Sequence, residues 1–203
     1  MEYAVADIFG PTLQGEGHFV GYPATFVRLA GCSVKSCHIR RACDERPWAE
    51  RDRLSATAII ERLRGLAGSG IVVITGGEPT DQDLVPLVAA LNDARYRVHL
   101  ETSGVRSVVG LPIEWLTVSP KTSDYLQRTG HTLKVVVTPD MSWEDVDRLD
   151  DGTNFFHRYL QPLTNVSGEP ENLGEVIQMV TSPRNANGRW ALSTQAHRVW
   201  NVK

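Results

Sequence analysis

Three cysteines, Cys32, Cys37 and Cys43, fall within twelve residues of a 203-residue chain and are its only cysteines. An odd trio makes a poor disulfide framework, and clustering of this kind points instead to a metal. A closed zinc site wants four ligands. His38 is the remaining candidate, although its position beside Cys37 demands a strained loop. Three thiolates also suit a cubane iron-sulfur cluster, which then keeps one iron open to a substrate or cofactor. Taken alone, the trio leaves zinc, iron-sulfur and coincidence open.

Further polar motifs stand where apolar runs end: Thr75-Gly76-Gly77-Glu78-Pro79, Glu101-Thr102-Ser103-Gly104, Ser119-Pro120-Lys121 and Gln161-Pro162-Leu163-Thr164. Gly76 and Gly77 let a ligand approach the backbone closely, and exposed amides bond a carboxylate or amine. Glu78 is a candidate acceptor for an ammonium. Glu101, Ser103 and Ser119 offer the carboxylate and hydroxyl partners that a ribose needs, and Lys121 is a cation able to face a carboxylate. Together these are the requirements of an adenosyl amino acid. Singly, Glu78 reads equally as a solvated turn carboxylate, Lys121 as a surface lysine, and the Gly and Pro residues as turn punctuation.

The elements that must position these groups alternate between two periods. Strand-like runs cover Tyr3 to Phe9, Pro23 to Ala30, Ile71 to Ile74, Arg97 to Glu101, Leu116 to Val118, Thr132 to Val137 and Phe156 to Gln161. Between them lie amphipathic helical patterns. One is capped by Ser55 and carries Ile59, Leu63 and Leu66, ending near Gly68. A second starts in a capping-box-like Thr80-Asp81-Gln82-Asp83 and carries Leu84, Leu87, Val88 and Leu91. Ser142 to Leu149 is a shorter version, and Leu173, Val176, Ile177 and Val180 repeat the spacing. Such alternation predicts parallel βα units in an α/β fold, with the motifs ringing one opening beyond the strand ends. With no repeat, low-complexity tract or linker, one compact domain over residues 1–203 is expected. A full eight-unit barrel takes about 250 residues, so an incomplete barrel is expected here.

Net charge is -3, from 21 basic and 24 acidic side chains. That balance gives no reason to expect a nucleic acid or a membrane surface as partner. The longest apolar run, Leu84 to Leu91, is far short of the roughly 18 to 20 residues of a membrane span. The first residues lack the basic start and apolar core of a signal peptide, so a cytoplasmic location with reduced thiols is expected.

A three-cysteine loop after a strand, followed by Gly-Gly-Glu-Pro, resembles the radical S-adenosylmethionine (SAM) superfamily. More narrowly, the chain resembles the 7-carboxy-7-deazaguanine synthase family. The segments that carry this likeness are Phe9 to Gly17, Gly21 to Cys32, Cys43-Asp44, Thr75 to Pro79, Glu101 to Gly104, Ser119 to Lys121, Gln161 to Leu163 and Leu192 to His197. Gln-Gly-Glu-Gly followed by Phe-Val-Arg-Leu-x-Gly-Cys is the specific part, since Gly-Gly-Glu-Pro marks only the superfamily. The resemblance implies an incomplete TIM-like βα barrel of the radical SAM type and a 4Fe-4S cluster on Cys32, Cys37 and Cys43. It implies that the cluster passes one electron to S-adenosyl-L-methionine and that the resulting 5'-deoxyadenosyl radical takes a hydrogen from 6-carboxy-5,6,7,8-tetrahydropterin. The substrate contracts its ring, loses ammonia and becomes 7-carboxy-7-deazaguanine, a step of 7-deazapurine biosynthesis. By the same resemblance, Leu13, Gln14, Gly15 and Thr75 border the pterin and Arg28 clamps its carboxylate. Glu16 accepts from the pterin amino groups or is an exposed loop acid. Gly77, Glu78, Ser103, Ser119, Pro120, Lys121, Gln161, Pro162, Leu163 and Thr164 contact SAM. Gln195 and His197 match a C-terminal motif, with a packing role and a ligand role both open. Arg28 has a separate physical reason to need an anion, because it interrupts the apolar strand Phe26-Val27-Arg28-Leu29.

The cysteine loop departs from the family. There it ends Cys-x2-Cys-Asp-Thr, whereas here it reads Cys32-x4-Cys37-x5-Cys43-Asp44-Glu45, with Arg40 at the middle cysteine's place. Either an altered loop path still brings Cys37 to iron, which is the expectation here, or only two thiolates ligate and the cluster is weak or absent. Glu45 replaces the threonine that would hold Mg²⁺ and supplies a hard oxygen ligand instead, or is a surface acid. Lys35, Arg40 and Arg41 form a solvated surface or attract an acidic electron donor such as a flavodoxin. The family suggests a homodimer. Two other readings compete: a homologue without a cluster that binds a pterin as a regulatory or partner protein, and a small structural zinc domain.

Overall fold

The computed structural model of the chain describes residues 1–43, 51–66, 68, 70–165 and 167–202. In chain order these form β1 (Glu2–Leu13), β2 (Pro23–Leu29), β3 (Asp52–Ser55), α1 (Ala56–Gly65), β4 (Ile71–Gly76), α2 (Val85–Asp93), β5 (Arg97–Thr102), β6 (Trp115–Val118), β7 (Thr129–Val137), α3 (Trp143–Asp150), β8 (Asn154–Pro162), α4 (Leu173–Thr181), β9 (Ala191–Leu192) and α5 (Ala196–Val199). The strands form one sheet in the order β3-β1-β2-β4-β5-β6-β7-β8-β9. From β2 to β9 neighbouring strands in this order run parallel, while β1 pairs antiparallel with β2 and β3. The sheet does not close: the fold is an open, partial βα barrel.

Strand alternation divides the labour. Val72, Ile74, Leu100, Val118, Val135, Val137 and Leu160 turn outward and bury against Ile59 and Leu63 of α1, Leu87, Val88 and Leu91 of α2, Val146 and Leu149 of α3 and Val176 of α4. The intervening residues Arg28, Thr75, Glu101, Lys134 and Gln161 face inward around a cavity. Phe9 and Phe26 stack at 5.0 Å between ring centroids on that inner side.

Local starts follow the side chains. The Ser55 hydroxyl accepts from the Ala58 amide at 3.1 Å and begins α1, and Ser142 with Asp145 forms a reciprocal capping box for α3. The capping-box start expected at Thr80 for α2 does not form. Thr80 directs both its amide and its hydroxyl to Glu78, and α2 begins at Val85, whose amide donates to Asp83 at 3.1 Å. Strand β1 runs four residues past Phe9, through a shift in its pairing with β2. Two short strands, β3 and β9, went unanticipated because both sit at sheet edges with little or no apolar alternation. Among the described residues no helix is long and apolar enough to cross a membrane.

Candidate active site

The parallel strand ends, residues 13–16 and the cysteine loop border a cavity of about 240 Å³. Of the residues singled out in the sequence, Leu13, Gln14, Gly15, Glu16, Arg28, Cys32, Cys37, Cys43, Thr75, Gly77, Ser103, Ser119, Lys121 and Gln161 border it, joined by Glu101, Gln195 and His197. Glu78, Pro120, Pro162, Leu163 and Thr164 are not on its wall. Glu45 lies outside the described residues.

The Thr75-Gly76-Gly77 end of β4 needs its glycines. A Cβ on Gly77 would come within 2.3 Å of the Gly31 carbonyl and 2.9 Å of the Cys32 side chain. The close approach is fastened by backbone bonds from Gly77 to the Leu29 carbonyl and from Glu78 to the Gly31 carbonyl. Glu78 itself is fully buried. Its Oε1 accepts from the Thr80 amide (3.0 Å), the Thr80 hydroxyl (2.6 Å) and the Thr102 hydroxyl (2.6 Å). Its Oε2 accepts from the Ser103 amide (2.8 Å) and the Ser103 hydroxyl. Five donors saturate a carboxylate. Glu78 is therefore neither a solvated turn acid nor open to an ammonium; it braces the end of β4 against the end of β5.

Acid and base meet on the other wall. Glu16 pairs with the Lys134 ammonium and also accepts from Gln161 Nε2 (3.1 Å) and Gln195 Nε2 (2.8 Å). The two charged side chains are only 15% and 6% exposed. Burial would raise the Glu16 carboxyl, but Lys134, with Gln195 and His197, holds it down at about 2. The open reading of Glu16 as an exposed loop acid does not hold. Gln14 donates to Glu101 at 2.7 Å and accepts from the Gly15 amide at 2.8 Å, which shapes the loop. Gly15 is required by α5: an added Cβ would overlap the His197 ring at 2.1 Å. Elsewhere on the wall, Lys121 Nζ donates to the Ser119 carbonyl (2.9 Å) and hydroxyl (2.7 Å). Burial, with Lys134 close by, lowers its ammonium from the ordinary lysine range.

Lys134 went unnoticed in the sequence. Its signal was the one used for Arg28: a lone cation inside an apolar strand, Thr132-Leu133-Lys134-Val135-Val136-Val137.

Among the described residues the three cysteines form no disulfide. Burial, together with Glu78, Asp81 and Cys37 nearby, pushes the Cys32 thiol up. Among the described residues no three His, Cys, Asp or Glu side chains converge as a single metal ion requires. The His38 ring lies against two backbone carbonyls, those of Lys121 (2.9 Å) and Val136 (3.0 Å), and so is not turned toward the cysteines as a fourth zinc ligand. A cubane distributes its thiolates over separate irons, so thiols spread around one cavity suit it better than a lone tetrahedral ion.

At the opposite end of the inner face the space is filled. Trp115 stacks with His18 at 4.7 Å and His131 at 4.6 Å, while His18 stacks on His157 at 4.1 Å. Phe19 closes against Trp115 and His99 at 4.8 and 4.6 Å. Burial lowers the basicity of His99 to about 4, and burial with His157 lowers His18 and His131.

No protein-family profile matches the sequence. Among curated proteins, the chain is similar to the 7-carboxy-7-deazaguanine synthase of Burkholderia multivorans, with 35% identity over all of both chains. The similarity to the enzyme of the same name from Synechocystis is 32% over the whole of this chain and 95% of that one. Among solved structures, the crystal structure of QueE from Escherichia coli superposes with a TM-score of 0.73 at 28% identity, covering 97% of this chain and 95% of that chain. With whole-length identity, a shared fold and the motif set gathered around one cavity, the chain belongs to the 7-carboxy-7-deazaguanine synthase family, enzymes of the radical SAM type.

Proposed function

We propose that the chain converts 6-carboxy-5,6,7,8-tetrahydropterin to 7-carboxy-7-deazaguanine with loss of ammonia, as a radical SAM lyase of 7-deazapurine biosynthesis. One observation carries the assignment: the three thiols border the same cavity as Gln14, Glu16, Arg28 and Thr75 on one side and Gly77, Ser119, Lys121 and Gln161 on the other. Cys32, Cys37 and Cys43 would hold a 4Fe-4S cluster as thiolates. When bound, the cluster and SAM supply the electron and the radical that takes hydrogen from the substrate.

The chain's own groups bind and orient. Arg28 meets the pterin carboxylate, a task for which a planar fork suits better than a point charge. Glu16 is kept ionised by Lys134 and accepts from the pterin amino groups, while Gln14 is oriented by Glu101 to pair with the amide-like edge. Lys121 faces the methionine carboxylate of SAM. Glu78 acts through Thr102 and Ser103 rather than touching the cofactor. Pro120 and the residues Pro162, Leu163 and Thr164 shape the strand ends that border the adenosyl group. Glu45 is the candidate Mg²⁺ ligand.

Residues 1–203 work as one radical SAM domain, in keeping with the single continuous sheet. Lys35, Arg40 and Arg41 offer a basic face to an acidic flavodoxin-like electron donor. A reducing cytoplasm suits thiols that form no disulfide, and two copies form a homodimer. Nothing in the charge balance calls for nucleic acid or membrane. Anaerobically reconstituted protein supplied with SAM, reductant and the pterin tests the assignment: 7-carboxy-7-deazaguanine is the expected product. Pterin binding without iron would identify a regulatory homologue instead.

A further inference from the structure

The cysteine loop has a placement problem of its own. Four residues separate Cys32 from Cys37 and five separate Cys37 from Cys43, so ordering three thiols around one cavity costs conformational entropy that some contact must offset. The start of the loop is tied down: the Ser33 amide and hydroxyl both donate to Asp81 at 2.6 Å, and Asp81 is paired with Arg106 at 3.1 Å. Toward its end, Arg41 reaches Glu171 at 3.1 Å, but with the arginine side chain 66% exposed that pair contributes little. The middle of the loop is fastened by the residue next to Cys37. The His38 ring spans two strands: Nδ1 lies 2.9 Å from the carbonyl of Lys121, just past β6, and Nε2 lies 3.0 Å from the carbonyl of Val136 in β7. The His38 amide also points to the Lys121 carbonyl, at 3.5 Å.

We propose that His38 is a positioning residue: its ring fastens the middle of the loop to the ends of β6 and β7 and so sets Cys37 on the cavity wall beside Lys121. The role rests on the assignment of Cys37 as a cluster ligand, but the fastening exists in the metal-free chain and is measurable there. Both carbonyls only accept and a neutral imidazole has one N–H, so the ring donates to one of them and its rigid frame fills the gap to the other. An amide side chain offers a single nitrogen and reaches one of them. Removal of the ring frees Cys37 while Ser33 continues to hold Cys32.

Pulsed alkylation of the full-length, metal-free chain, read cysteine by cysteine through mass spectrometry, tests this. In His38→Ala the Cys37 rate should rise about tenfold, the change expected from one or two lost hydrogen bonds in a local opening. Cys32 should change by less than about twofold over the same pulse. His38→Gln should fall between wild type and alanine, and it carries the test alone should the alanine variant fold poorly. After anaerobic reconstitution the variants should bind less iron and sulfide than wild type, in the same order as their Cys37 rates. An unchanged Cys37 rate, or an equal rise at all three cysteines, would overturn the role. Wild-type protein that takes up no iron, while the variants keep this labelling pattern relative to it, would sink the proposed function and leave the fastening intact.

Discussion

The two ends of the inner sheet face were built from the same strands and filled in opposite ways. At the strand beginnings His99, Trp115 and His157, with His18 and Phe19 from the loop after β1, pack ring on ring and use up the space. At the strand ends Glu101, Ser119 and Gln161, two or four residues further along the same strands or just past them, border a cavity. Rings stacked on one another fill the space with little reliance on polar partners. Carboxylates and ammoniums need partners, and around the cavity those partners hold them ready without closing the space. The difference locates chemistry at one end and stability at the other.

Substitutions at the two ends should therefore separate cleanly. The largest contrast sets Cys37→Ala against His157→Phe. The cysteine variant should lose product formation by more than about 100-fold, beyond the 10–100-fold typical of a lost outer-shell partner. The histidine variant keeps a ring in the stack and should stay within about threefold of wild type in product assays, as substitutions away from a site do. Comparable losses at both ends would erase the distinction.

The buried pair of the cavity wall sharpens it further. Lys134→Met should destabilise the chain by about 3–5 kcal/mol in urea unfolding, because Glu16 is left charged and uncompensated. Adding Glu16→Gln should recover most of that stability while product formation stays low. A single-variant cost below about 1 kcal/mol would mean the pair is solvent-screened, as exposed pairs are.

At the substrate side, Arg28→Lys keeps the charge and loses the fork. It should raise the KM for the pterin by about 10–100-fold, the equivalent of one charged hydrogen bond, with kcat changed much less. Steady-state kinetics against pterin and against SAM separately would check that the SAM side is untouched.

Acid should act first on the ring-filled end. His99 is held to about 4, and His18 and His131 are also lowered. Groups with depressed folded-state values favour the folded chain above their unfolded value, near 6.5, and that contribution disappears as pH falls toward about 4. Glu16, held at about 2, keeps its contribution until pH drops below about 4.5, losing it on the way to about 2. Thermal melts should thus show a decline beginning near pH 6, flattened in His99→Phe. A decline that starts only below pH 4.5 would place the acid-sensitive groups at the cavity instead.

The sequence told these ends apart only in part. Strand and helix periodicity located seven of the nine described strands and the four longer helices, because each buries an apolar face. β3 and β9 carry no such face and stayed hidden. The strand-end motifs identified the cavity wall, yet Glu78 read as a ligand because its five donors come from Thr80, Thr102 and Ser103, brought to it by the fold. Lys134 was legible by the rule applied to Arg28. The ring stack was not: His99, His131 and His157 are separated by 26 or more residues in the chain, and stacking leaves no local pattern.

Everything at the cavity end turns on whether three widely spaced thiols hold a cubane. Counting iron, acid-labile sulfide and zinc per chain after anaerobic reconstitution tests that directly. About four irons and four sulfides per chain are expected, as a cubane requires. About one zinc per chain, or no metal in protein that still binds the pterin, would contradict it.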